Sequence, residues 1–127
     1  MIADTFEQTI CFDFDGVLNN YQGWRDEGFD VILDKPFHDT VQAMQDIRTL
    51  GYRVVVHSVR CAHEGGIKSI REWLDKYDIE VDDVVAHKPL ACVYVDDRGY
   101  HHTNWDDTVD MLMRRRRGNI QANAQLV

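Results

Sequence analysis

Four short apolar runs limit how this chain can fold: TICFDF (9–14), YRVVVHS (52–58), DVVAH (83–87) and ACVYVDD (91–97). They are rich in β-favouring residues, and none alternates polar with apolar. A strand that is apolar on both sides must be covered on both faces, as in a parallel sheet flanked by helices. Helical spacing fills the intervals. Val41, Met44, Ile47 and Leu50 share one face over 39–50, with Gly51 as the stop. Ile67, Ile70, Leu74 and Tyr77 do so over 64–77. Trp105, Val109 and Leu112 do so over 104–117, after an Asn104 cap and before Gly118. The order strand, helix, strand, helix, strand, strand, helix predicts an α/β chain. It implies a three-layer, Rossmann-like sandwich with a mostly parallel sheet.

A length of 127 residues, with 44% apolar and 28% charged, suits one domain over 1–127 with one core. Residues 18–36, LNNYQGWRDEGFDVILDKP, are polar, aromatic and Gly-containing. They read as a hairpin or flap over the end of the first strand, with FDVIL (29–33) as a short strand. Residues 118–127 carry little pattern and read as a flexible tail or a packing segment. The net charge of −8 disfavours stable binding of nucleic acid, because phosphate backbones are held by clustered Lys and Arg. Cys11, Cys61 and Cys92, an odd count without regular spacing, read as reduced thiols. No signal peptide or membrane-spanning run is evident, so a cytoplasmic location is expected.

Ligands of an open parallel sheet bind beyond the carboxyl ends of its strands. There the four runs deliver Asp13 and Asp15, then Ser58 and Arg60, then Lys88, then Asp96 and Asp97. Two carboxylates about 4 Å apart repel by roughly 4 kcal/mol at an effective dielectric near 20. A cation, a shared proton or solvent must offset that. Two acidic pairs at one edge suit Mg²⁺, a hard cation often held by only a couple of carboxylates.

In order, DFDGV (13–17), VVVHS (54–58), HKP (87–89) and VYVDD (93–97) resemble the four motifs of the haloacid dehalogenase (HAD) superfamily. The likeness spans residues 10–105 and is nearest to small phosphatase-like members of bacterial and phage type. It implies that Asp13 is a nucleophile forming an aspartyl phosphate, and that Asp15 is the general acid and base. It also implies that Asp13, the Asp15 carbonyl and Asp96 hold Mg²⁺, with Asp97 nearby. Ser58 and Lys88 would bind the phosphoryl group, Gly16 would lie against the substrate, and Arg60 would contact substrate or pair with a carboxylate. Receiver domains use similar parts, but their acidic pair follows the first strand and their phosphoacceptor lies mid-chain. Here a second acidic pair comes last. Neither inter-motif gap has room for a folded cap, so the resemblance implies an open, capless site. Capless members often act on large substrates or close the site by oligomerising, so a homo-oligomer is compatible with the sequence.

Plainer readings stand beside these. Asp13 and Asp15 also suit a solvated Asx-type turn, Ser58 a helix cap, and Lys88 a surface position. EGGIKS (64–69) lacks the spacing of a phosphate-binding loop and reads as a helix start. His101, His102 and Asp106 lack a zinc-site pattern. RRRR (114–117) fits charge at a helix C-terminus better than contact with nucleic acid. Tyr21, Trp24, Phe29, Tyr100 and Trp105 suit either base stacking or packing of the flap onto the sheet. The expected function is Mg²⁺-dependent phosphomonoester hydrolysis, with nucleotide or polynucleotide phosphates as the substrate class by resemblance. A phosphotransferase, or a non-catalytic phosphate- and Mg²⁺-binding module, fits the same residues.

Overall fold

A computed structural model describes residues 8–96, 100–101 and 104–121, with backbone alone for 100–101 and 117–121. The apolar runs form β1 (Thr9–Asp13), β2 (Arg53–His57), β3 (Asp83–Val85) and β4 (Val93–Asp96). The helical patterns form α1 (Thr40–Thr49), α2 (Gly66–Lys76) and α3 (Trp105–Gln121). The strand order is β3-β2-β1-β4, every pairing is parallel, and a two-residue β5 (Tyr100–His101) adds beside β4. The expected Rossmann-like α/β architecture is therefore present, and among the described residues no cap interrupts it.

The double-sided apolar character of the central strands is spent as expected. Ile10, Cys11 and Phe12 are buried in succession, as are Val54, Val55 and Val56. Phe12 meets Trp105 of α3, and Phe14 meets Trp73 of α2 edge-on at 4.8 Å. The Trp105 indole donates to Thr40 Oγ1 at 2.9 Å, and Thr40 donates to the Leu18 carbonyl. These two bonds tie α3, α1 and the turn after β1 together.

Two boundaries differ from expectation. Residues 29–33 form no strand; only isolated bridges, Asn19 with Asp15 and Asn19 with Pro36, appear in this stretch. The loop is closed at its neck by Asn19 opposite Pro36 and by Asn20 N–H donating to the Lys35 carbonyl. Beyond the neck, side chains hold its backbone: Trp73 Nε1 donates to the Asp34 carbonyl, and Ser69 Oγ to that of Asp30. α3 continues through Gly118 to Gln121, since one helical glycine costs only about 1 kcal/mol. Arg114–Arg116 consequently lie within the helix rather than at its end. Arg114 pairs with Asp110, Arg115 donates to Tyr52 Oη, and Arg116 donates to Gln8. Each of these partners is intramolecular. Of the expected tail, residues 122–127 lie outside the described residues. Among the described residues, no helix is long and apolar enough to cross a membrane.

Candidate active site

Strand register assembles the site. β1 pairs with β2 so that Asp13 lies opposite His57, immediately before Ser58. On the other side, Phe12 lies opposite Val95, so the next step of the same register brings Asp13 alongside Asp96. Adjacent strands run roughly 4.8 Å apart. Asp13, Ser58 and Asp96 thus share one sheet edge because three apolar strands end in step.

The turn after β1 is tight. Gly16 adopts φ +84, a left-handed value that suits glycine, and its N–H donates to the Asn19 carbonyl at 2.9 Å. A Cβ at Gly16 would meet nothing within 4 Å, so conformation rather than space selects glycine. The Asp13 carboxylate accepts the Phe14 N–H at 3.0 Å, a bond to the next residue rather than the two-residue reach of an Asx turn.

Asp15 is held by a buried arginine. Arg60 Nε donates to Asp15 Oδ2 at 2.8 Å and Nη2 to Oδ1 at 3.2 Å. Its Nη1 donates to the carbonyls of Phe29 and Val31 at 3.3 and 2.9 Å. The Arg60 side chain is 3% exposed and that of Asp15 21%. Of the two roles open to Arg60, substrate contact or carboxylate pairing, the structure places it in the second. Its donors are turned to Asp15 and the loop, and it is buried. Asn19, wholly buried, adds a bond from Nδ2 to Asp15 Oδ1 at 2.9 Å. Its own Oδ1 has no partner. Sequence reasoning missed Asn19, whose only signal is its place four residues after Asp15.

Ser58 is 2% exposed, and its Oγ accepts the Arg60 N–H at 3.1 Å, opening a 3₁₀ turn at Val59–Ala62. The capping reading therefore holds. The hydroxyl hydrogen is still available to donate, because capping uses Oγ as an acceptor. Lys88 Nζ lies 2.9 Å from Asp96 Oδ2, so it is not a plain surface lysine although its side chain is 46% exposed. The bond to Asp96 raises the Lys88 pKa above the ordinary lysine value, and the Asp13 charge acts in the same sense. His57 feels Lys88 from the other side: burial first, and then that ammonium, push its pKa down. Tyr94 fixes the loop that carries Lys88, donating from its hydroxyl to the Pro89 carbonyl beneath the ammonium.

Asp97 and His102 lie outside the described residues. Among the described residues, no group of three or more His, Cys, Asp or Glu side chains could hold a metal ion. That leaves open a cation held by one or two carboxylates with carbonyl, water and substrate oxygens. Asp13 and Asp96 supply hard oxygens of that kind from neighbouring strands. A cavity of about 280 Å³ lies between α1 and residues 78–80, at the opposite edge of the sheet, and holds none of these groups.

Comparison with known proteins agrees with this geometry. A structure of a conserved protein from Bacteroides thetaiotaomicron superposes with a TM-score of 0.66 at 20% identity, over 86% of this chain and 92% of that one. A crystal structure of a structural-genomics target from Vibrio cholerae gives 0.50 at 22% identity, over 85% and 98%. The Pnkp1/Rnl/Hen1 RNA repair complex gives 0.51 at 18% identity, over 88% of this chain but 33% of that one. Each of these likenesses concerns the fold. A search of curated proteins returns no match. The HAD domain in Swiss Army Knife RNA repair proteins matches residues 9–116, a span that runs from β1 into α3 and includes all four strand-end motifs. With Asp13, Asp15, Ser58, Lys88 and Asp96 at or just beyond the strand ends of a parallel sheet, this chain belongs to that HAD family.

Proposed function

We propose that this chain is a phosphomonoester hydrolase that works through an aspartyl phosphate on Asp13 and depends on Mg²⁺. The observation that carries this reading is the shared edge of Asp13, Ser58 and Asp96, with the Lys88 ammonium bonded to Asp96. A carboxylate oxygen of Asp13 attacks phosphorus, and the bond from phosphorus to the ester oxygen breaks. Asp15 gives the departing oxygen a proton. It then takes one from the water that attacks phosphorus, releasing inorganic phosphate and restoring the Asp13 carboxylate. Ser58 donates to a phosphoryl oxygen, and Lys88 balances negative charge at the reacting centre.

Arg60 and Asn19 keep Asp15 in place for both proton steps. Asp15 accepts two bonds at Oδ1 and one at Oδ2, so Oδ2 keeps acceptor capacity for a proton. Asp13, Asp96 and the Asp15 carbonyl would hold Mg²⁺, with Asp97 beside them. The cation supplies charge neutralisation that lets an anionic nucleophile approach a phosphate.

The family's name, and the RNA repair complex among the structural neighbours, support phosphorylated nucleotide or polynucleotide ends as the substrate class. The test is phosphate release across a panel of esters, including nucleotides and 3′- and 5′-phosphorylated oligonucleotides, with and without Mg²⁺. Turnover on the nucleotide substrates that disappears with chelator and returns with Mg²⁺ is expected. Faster turnover of sugar phosphates would reject the substrate class. Folded protein that releases no phosphate from any ester would favour the non-catalytic binding module.

A further inference from the structure

We infer that Trp24, Phe29 and His63 form a stacking subsite for the unpaired nucleobase adjoining the phosphate. This deepens the proposed phosphatase reading and rests on it. The Phe29 and His63 rings are stacked, with centroids 3.8 Å apart and planes within 4°. Trp24 leans on Phe29 at 5.3 Å and is 50% exposed. Neither Trp24 nor Phe29 belongs to the hydrophobic core or to the partly buried hydrophobic residues packed against it. Packing of the flap onto the sheet therefore does not account for Trp24 and Phe29. Trp105, by contrast, is 3% exposed and does serve the core.

The loop is also held by polar contacts away from the aromatic cluster. Arg25 pairs with Asp34 at 2.7 Å, and Arg60, Ser69 and Trp73 anchor the loop backbone. The Phe29–His63 stack seats this pre-ordered aromatic surface on the turn after β2 and leaves it partly open to solvent.

Its position links it to the carboxylates. Trp24 and Phe29 lie on the loop that leaves β1, and His63 closes the 3₁₀ turn that begins at Ser58. One guanidinium, that of Arg60, reaches both Asp15 and the Phe29 carbonyl. Base stacking on aromatic side chains tolerates any sequence, because every base has a π-face. The surrounding charge limits what else is held. Asp26, Glu27, Asp30 and Glu64 flank the cluster, and the nearby Arg25 is committed to Asp34. A long phosphate backbone would be repelled there. The ligand is thus one terminal base, with little gain from further nucleotides and a shallow salt dependence.

Two substrates differing only in the base test this: a short oligonucleotide phosphorylated at one end, and the same molecule abasic at that end. Wild type should prefer the first by about tenfold in kcat/KM. Trp24→Ala should lose most of that preference, and Trp24→Phe should keep it. No preference in wild type, or an undiminished one in Trp24→Ala, would overturn the subsite and leave the phosphatase reading standing. Failure of wild type to turn over either molecule would count against that reading instead.

Binding then decides the subsite alone. Unphosphorylated oligonucleotide should quench wild-type tryptophan fluorescence and leave that of Trp24→Phe unchanged, because Trp73 and Trp105 are buried. Absence of quenching in wild type removes the subsite whatever turnover shows. Mononucleotides run in parallel assign the base to free nucleotides if they match the oligonucleotide, and to chain ends if they bind worse.

Discussion

Arg60 is the residue on which the geometry of Asp15 depends. Two of its nitrogens grip the carboxylate, a third grips the loop after β1, and the whole side chain is removed from water. Removing one partner of such a pair leaves a charge without its counterpart. Arg60→Met should therefore destabilise the protein by about 3 kcal/mol, near the lower end for buried pairs because Asp15 retains some exposure. The urea midpoint measures this, and an unchanged midpoint would show that the pair contributes little. The sequence identified Arg60 as relevant but left its partner open. Asp15 lies 45 residues away, and only the fold brings the two together. Asn19 was harder still, since one asparagine in a polar loop gives no sign that it will be buried. Asp13, Ser58, Lys88 and Asp96 were legible because each ends or follows an apolar run, and the register then aligns them.

The strands and helices followed their sequence patterns wherever a run was long enough to have a period. The two-residue β5 was too short to show one. The FDVIL segment has β-favouring residues but no neighbouring strand with which to form a ladder. Its carbonyls at Phe29, Asp30 and Val31 accept from Arg60 and Ser69 instead, and Val31 stays 41% exposed.

The junction between the 3₁₀ turn and α2 is equally specific. A Cβ on Gly66 would lie 1.7 Å from the Arg60 carbonyl oxygen, a backbone atom that cannot step aside alone. Gly66→Ala should cost about 3 kcal/mol, at the upper end for overpacking, and should displace Ser58 and Arg60 together. Thermal melting and residual turnover would both fall, and a variant of unchanged stability would contradict this packing. Burial raises the pKa of all three thiols, pushing Cys11 up to about 11. A thiol with a raised pKa stays protonated as pH rises through the ordinary thiol range. Iodoacetamide at pH 8 should thus leave Cys11 and Cys61 unmodified in folded protein and label them in urea. Rapid labelling in the folded state would contradict this burial.

The chain as a unit is a small α/β core whose carboxylates face outward without a cap. It spans nearly the full length of the Bacteroides and Vibrio structures it resembles, and a third of the chain it matches in the RNA repair complex. An open site admits the end of a polymer, while the net charge of −8 works against long-range capture of one. On the proposed reading, recognition of such an end would rest on short-range contacts at the strand ends and the adjoining loop.

The direct test of the chemistry is to stall it between its two halves. An aryl phosphate with a good leaving group needs no acid to depart, so Asp15→Asn should still transfer phosphoryl to Asp13 while losing the base that activates water. Mass spectrometry of the acid-quenched variant should then find one phosphoryl group, on the peptide containing Asp13, absent from the Asp13→Asn, Asp15→Asn double variant. Folded protein that turns over the substrate with phosphate on another residue, or with undiminished activity in Asp13→Asn, would contradict a nucleophilic Asp13.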